Sequence, residues 1–294
     1  MNHSKAEIIK TLRQAQSAFM EKNYGDALQH YNWVEGHMND DPAAQLAIWI
    51  EIGWCHYLMK DYLQAIRYFE KCLDSPHISS KQRFDCLRLS GFSYEFLAHP
   101  VNALNYLQDA LMQDVEEDLK RHTYFETGKI LFVRNRSLEA KPFLIRALAL
   151  LLPEELDYRQ STRYYLGFIA FFEGEYARAE GYFREIIAAA PAPVGQAPGY
   201  FGLAHIHYQH KDFQEVIDLC QQIIRLDAQF YDMETIAYFL CKSYMELALW
   251  QQLALFLPEL LNRYPDGRYQ SVYPELQKAL QDSQRTAGNR MDLN

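Results

Sequence analysis

The chain has 294 residues, of which 49% are apolar and 14% aromatic, enough to build a core and too apolar for wholesale disorder. Its formal net charge of −9 repels a phosphate backbone, so nucleic acid is not an expected ligand. No stretch approaches the roughly 20 uninterrupted apolar residues that span a bilayer, which excludes membrane insertion as an expectation.

The first residues, MNHSKAEIIKTLRQAQ, mix charge with apolar side chains at helical spacing. They lack the apolar run and small-residue cleavage site of a secretory signal, which points to the cytoplasm. Five cysteines, Cys55, Cys72, Cys86, Cys220 and Cys241, have no CxxC spacing and read as reduced core thiols.

From that first helical stretch onward one frame recurs. Small residues stand at Ala15, Gly53, Gly91, Gly128, Gly167, Ala204 and Cys241, where one helix must be thin to admit a partner. Twelve residues after each comes the residue that anchors a second helix: Ala27, Ala65, Ala103, Ala140, Ala179, Val216 and Leu253. Four residues later again, Tyr31, Phe69, Leu107, Leu144, Phe183, Cys220 and Leu257 occupy the space between the two helices, and all but Cys220 are large. Successive anchors are 38, 38, 37, 39, 37 and 37 residues apart. A pattern of this kind predicts stacked helix pairs.

Local signals mark the helix boundaries in chain order. Asp41-Pro42 sets a capping carboxylate before a first-turn proline, and Ser79 or Ser80 caps the helix carrying Phe84 and Leu87. Residues 188–199, AAAPAPVGQAPG, are the richest in proline and glycine; they read as a stiff turn ending in a helix start at Pro198, with a hinge as the alternative. Tyr264-Pro265-Asp266-Gly267 ends the last pair. Val272, Leu276 and Leu280 then form an apolar stripe on one further helix, with Tyr273 at its edge, and the polar remainder SQRTAGNRMDLN is expected to be disordered.

In the second pair, Trp49-Ile50-Glu51-Ile52-Gly53-Trp54-Cys55-His56 followed by Tyr62, Ala65, Phe69, Cys72 and Pro76 resembles the tetratricopeptide pattern W-x2-L-G-x2-Y…A-x3-F…P. The resemblance covers about residues 6–265, with a period longer than the usual 34 residues and its weakest matches in the sixth and seventh pairs. It implies an all-α, right-handed α-solenoid of about seven helix pairs plus a C-terminal capping helix. The corresponding boundaries are 1–268 for the superhelical array, 269–282 for the capping helix and 283–294 for the tail.

The resemblance also implies that the first helix of each pair lines a concave face. That face carries Trp54, Tyr57, Arg88, Phe92, Phe125, Lys129 and Phe132, then Tyr164, Phe168, Phe171, Phe201, Tyr208 and Tyr238. An aromatic surface of this extent marks an interface, and Arg88 and Lys129 add positive charge. The expected partner is therefore a protein or peptide segment, apolar with some acidic character. The clamp by which some family members grip acidic chaperone C-termini needs Lys and Asn on three successive first helices; here His122, Lys129 and Arg88 stand without the matching asparagines.

Catalytic readings find no support. His205, His207 and His210 are the one histidine cluster, but residues two apart on a helix point about 200° away from each other, which is poor metal geometry. No phosphate loop, GxSxG elbow or HExxH occurs. The expected role is a scaffold or adaptor needing no cofactor, with self-association left open. A client-shielding secretion-type chaperone and a peptide-sensing regulatory module are the alternatives.

Overall fold

The computed structural model describes residues 5–38 and 41–291, with side chains described as far as 285. Fifteen α-helices account for nearly all of it, and there is no strand among the described residues. They run α1 (Lys5–Met20), α2 (Tyr24–His37), α3 (Pro42–Leu58), α4 (Tyr62–Leu73), α5 (Ser80–Phe96), α6 (Pro100–Leu111), α7 (Arg121–Val133) and α8 (Ser137–Leu150). Then follow α9 (Leu156–Phe172), α10 (Tyr176–Ala189), α11 (Ala197–Gln209), α12 (Phe213–Leu226), α13 (Met233–Glu246), α14 (Trp250–Arg263) and α15 (Tyr273–Met291). The chain thus forms seven helix pairs and one added helix, in two compact units, Met1–Leu152 with four pairs and Pro153–Asn294 with three pairs and α15.

Within each pair the small residue of the first helix meets the large residue of the second. A Cβ placed on Gly53 would lie 2.6 Å from Phe69, on Gly128 2.6 Å from Leu144, and on Gly167 2.6 Å from Phe183. Gly91 stands in the same relation to Leu107, at 2.7 Å. The absent side chain is what lets the axes approach. All seven anchors are buried, and so are the large residues after them, Cys220 included. In the first unit Ala15, Ala27, Tyr31, Val34, Ile48, Ile52 and Cys55 form one core cluster, and Leu46, Ala65, Phe69, Cys72, Cys86 and Leu89 the next.

The turn inside every pair has one conformation. Lys22, Lys60, Ala98, Asn135, Gly174, Lys211 and Ala248 all have positive φ, between 55° and 77°, and stand five residues before their anchors. The following N–H reaches back five residues to a helix carbonyl, as from Asn23 to Ala18 and Asp61 to His56, closing the first helix with a left-handed cap. Only one of the seven is glycine, so composition did not announce these turns.

The predicted starts hold where the side chains can act. Asp41 Oδ1 accepts from the N–H groups of Ala43 and Ala44, each at 3.1 Å. Ser79 and Gln82 form a reciprocal capping box at the start of α5. Residues 188–199 contain a single 3-10 turn, Pro193–Gln196, and α11 opens at Ala197 with Pro198 in its first turn. The C-terminus differs from expectation: α15 extends to Met291, nine residues beyond the expected end at 282, and only 292–294 of the expected tail lie outside the described residues. Polarity there removes apolar packing but not helix propensity, because Gln, Arg, Ala and Met are good helix formers. Tyr273, expected at the edge of the apolar stripe, is buried with Leu276.

Candidate partner-binding faces

The thirteen expected groove residues fall into two sets, seven in the first unit and six in the second. In the first unit Trp54, Tyr57 and Phe92 are half-buried and pack on the core cluster around Phe69. Trp54 and Tyr57 meet edge to face at 6.0 Å, and the Arg88 guanidinium lies 5.9 Å from the Trp54 ring. Phe132 is half-buried on α7, whereas Phe125, two turns earlier on the same face, is buried.

The two expected cations already have carboxylates. Arg88 Nε donates to Asp85 at 2.8 Å. Lys129 lies between Glu126, at 2.5 Å, and Glu95, at 3.6 Å. Burial holds the Glu126 carboxyl above its ordinary range, and the Lys129 charge opposes that shift. The positive charge expected of Arg88 and Lys129 is therefore largely compensated where the groove was expected to use it. Two further basic residues of the first unit are likewise occupied: Lys120 donates to the Leu111 carbonyl, and Arg146 pairs with Glu117.

In the second unit the first helices carry a ladder of rings. Phe168 and Phe201 lie 6.1 Å apart, and His205 sits against both, at 5.2 and 4.5 Å, and against Phe239 at 4.9 Å. Phe171 flanks this group, 6.4 Å from Phe168. Tyr208 stacks on Phe239 and exchanges a 2.8 Å hydroxyl contact with Tyr238, which in turn stacks on Tyr269 at 4.0 Å. Burial draws the His205 imidazole below its usual pKa, and Nδ1 donates to the Phe201 carbonyl.

Burial requires a correction. Phe125, Phe168 and Phe201, expected to face a partner, are only 3–6% exposed. Phe168 and Phe201 fill the space between α9 and α11, and Phe125 is buried on α7, so all three are core. The other ten stay half-buried and bring at least one edge to solvent.

At the N-terminal ends of the second unit's first helices the rings border a pocket of about 560 Å3, lined by Asp157, Gln160, Ser161, Tyr164, Tyr165, Ile186, Pro198 and Tyr231. The five α9 residues Asp157, Gln160, Ser161, Tyr164 and Tyr165 share one helical face. The hydroxyls of Tyr164 and Tyr231 are hydrogen-bonded to each other. Burial pushes the Tyr164 phenol far up, so it is a neutral donor at neutral pH. Gln160 Nε2 is buried there with no acceptor among the described residues. Tyr231 and Gln160 were not among the expected residues: Tyr231 belongs to an inter-pair segment outside the repeat frame, and Gln160 gives no sign in sequence of being buried.

His205, His207 and His210 have separate surroundings. His207 pairs with Asp212 at 3.1 Å and the His210 ring meets Tyr176, so the three do not converge. No group of three or more His, Cys, Asp or Glu side chains among the described residues could hold a metal ion. No helix among them is long and apolar enough to cross a membrane.

Comparison with known proteins agrees with this architecture. Residues 46–75 match the family model for the tetratricopeptide repeat. No curated protein sequence matches the chain. The apo form of RapI superposes with a TM-score of 0.66 at 10% identity, covering 90% of this chain and 79% of RapI. The C-terminal part of a repeat-containing protein from Cytophaga hutchinsonii gives 0.64 at 16% identity, covering 92% and 99%. YrrB, described as a tetratricopeptide-repeat protein with an unusual peptide-binding site, gives 0.51 at 16% identity, covering 62% and 87%.

Proposed function

We propose that this chain, a tetratricopeptide-repeat protein, is an adaptor that holds a segment of a partner polypeptide against the exposed edges of its first helices. Repeats of this type serve as protein-interaction scaffolds, and peptide binding is part of the description of YrrB. The observation that carries the reading is the Tyr164 pocket of the second unit. It offers aromatic walls beside a buried amide donor, Gln160 Nε2, with no acceptor among the described residues. An unpaired buried donor costs about 1–3 kcal/mol, and a peptide carbonyl entering the pocket would remove that cost while its side chain rests on Tyr165 and Pro198.

The partner is best described as apolar, with hydrogen-bonding backbone exposed. An acidic residue adds to the first-unit face only by competing with Asp85 for Arg88, or with Glu95 and Glu126 for Lys129, so apolar contact carries most of the binding there. Binding rather than catalysis, and a reducing cytoplasmic setting suited to five buried cysteines, complete the proposal.

The test begins with the polypeptide that copurifies with the full chain from its native cells, identified by mass spectrometry and titrated as a purified protein. Loss of a well-packed aromatic contact is worth roughly 1.5–3 kcal/mol, so Tyr164→Ala and Trp54→Ala should each weaken binding by about ten- to a hundredfold. Gln160→Leu, a milder change, should weaken it less. If all three variants bound as tightly as the parent, the first-helix faces would not be the site.

A further inference from the structure

One position of the repeat register changes character in the last pair. Four residues before the small position of each first helix, where the repeat pattern has its tryptophan, stand Trp49, Leu87, Tyr124, Arg163 and Tyr200 in the second to sixth pairs. Trp49 sits between the second helices on either side: its Nε1 donates to Glu35 of α2 at 2.7 Å, and Lys71 of α4 lies over its ring at 3.9 Å. Leu87 is buried in one cluster with Leu73 of α4 and Ala110 of α6. The Tyr124 hydroxyl donates to Glu117, and its ring meets Phe143 of α8 at 6.4 Å. Arg163 Nε donates to Glu185 of α10 at 2.6 Å. In the seventh pair the same position is Ala237.

Alanine leaves the wedge open. A pocket of about 470 Å3 lies between α12, α13 and α14, with Ile236, Ala237 and Leu240 as its floor and Ile224, Phe256 and Leu260 as its walls. A dry cavity of about 150 Å3 holds a benzene ring, so this space takes an indole whole. It opens on the side of α13 nearly opposite Tyr238, away from the faces described above.

The lining also keeps the polar half of the missing contact. Glu185, which accepts from Arg163, stands six residues after its anchor Ala179; Glu259 of the pocket stands six after Leu253. Glu259 is an acceptor in register with no donor opposite it, because Ala237 supplies none. Arg225 and Arg263, on α12 and α14, are exposed lining residues with no ion pair among the described residues. Two guanidiniums against the one lining carboxylate disfavour arginine as the occupant. Their donors suit the backbone carbonyls on either side of an inserted ring.

We infer that this wedge takes a tryptophan side chain from a partner polypeptide, its ring filling the place of the absent large residue and its indole N–H donating to Glu259. A second copy does not supply the ring, because Trp33, Trp49, Trp54 and Trp250 are all half-buried on helices of this chain. The site shares no residue with the Tyr164 pocket, so either can fail without the other.

The probe is a short Gly/Ser peptide carrying one fluorotryptophan, titrated with the full chain and followed by fluorine NMR, in which a ring leaving water shifts its resonance. A saturable shift is expected. Ala237→Tyr restores the residue type of Tyr124 and Tyr200; it should abolish the shift and raise the melting temperature. Ala237→Leu, the residue of the third pair, should weaken binding about tenfold, so the result does not hang on one variant folding. Glu259→Ala, an exposed change, should keep the thermal melt and weaken binding by about tenfold, yet leave unchanged the affinity of a peptide methylated at the indole nitrogen. Tyr164→Ala should bind the probe as the parent does.

No shift with the parent chain, or an undiminished shift with a folded Ala237→Tyr or Ala237→Leu variant, would overturn the inference. Loss of the shift in Tyr164→Ala would place the ring in the other pocket, and an equal effect of Glu259→Ala on both peptides would overturn the choice of tryptophan. Binding of N-acetyltryptophanamide as tight as that of the peptide would replace the polypeptide with a small aromatic molecule. Dimerisation lost in Ala237→Tyr, without peptide binding, would replace it with a second copy.

Discussion

Whether a glycine of this chain tolerates a methyl group depends on which side of its helix it faces. Gly167 faces Phe183, with a Cβ position 2.6 Å from that ring, whereas Gly181 on α10 has nothing within 4 Å. Alanine gains roughly 0.5–1 kcal/mol of helix propensity at either site, and overpacking costs about 1–3 kcal/mol. Gly181→Ala should therefore raise stability in urea unfolding and Gly167→Ala should lower it; the same sign at both positions would mean the interlock is loose. His205 is a second case where surroundings decide. Its imidazole titrates below its ordinary value because burial opposes the charged form, with the Phe201 carbonyl and Asp232 opposing that shift and Arg268 adding to it. Between the folded and unfolded pKa values the unfolded chain binds the extra proton, so this stabilisation is present above about 6.5 and is lost as pH falls below it. His205→Phe should flatten the fall in melting temperature between about pH 7 and 5. An unchanged slope would assign the acid sensitivity to other groups.

At the scale of elements, ends and caps matter most. The Ser79–Gln82 box satisfies backbone donors at the start of α5, and Ser79→Ala should cost about 1 kcal/mol in unfolding free energy without changing helix content. The last helix has a larger task. Tyr273 and Leu276 of α15 are buried, the Tyr273 hydroxyl donates to the Tyr264 carbonyl at 2.8 Å, and Arg268 ahead of it pairs with Asp232 and Glu234. Deleting the chain from Val272 onward exposes the flank that α15 covers on α13 and α14. The truncated protein should aggregate and melt earlier, as repeat arrays do without a terminal cap. A monomeric product of parental heat stability would show that α15 caps nothing.

At the scale of the molecule, helical repeats bury their apolar stripes only against neighbours, and about three pairs suffice for a stable stack. Each compact unit meets that number, four pairs in Met1–Leu152 and three with α15 in Pro153–Asn294. Separate fragments of 1–152 and 153–294 should each give a helical circular dichroism spectrum and a cooperative melt. A fragment that stays unfolded would show that its core is completed elsewhere in the chain.

The repeat was legible because its cause is local and additive. A thin residue, an anchor twelve positions on and a large residue four after it must recur wherever two helices interlock, and Gly53, Ala65 and Phe69 announce this as plainly as Gly167, Ala179 and Phe183. The turns were less legible, since six of the seven left-handed positions are Lys, Ala or Asn, held there by the helices on either side. Candidate binding residues were legible only as helical faces. Phe168 and Tyr164 share a face of α9 in sequence, yet one ring is sealed against Phe201 and His205 while the other borders the pocket. The sequence by itself determined which residues lie on first helices and which contact makes each pair. Burial, the pairing of Lys129 with Glu95 and Glu126, and the meeting of Tyr164 with Tyr231 were decided by tertiary structure, because each depends on the distance between groups that the repeat frame leaves unrelated.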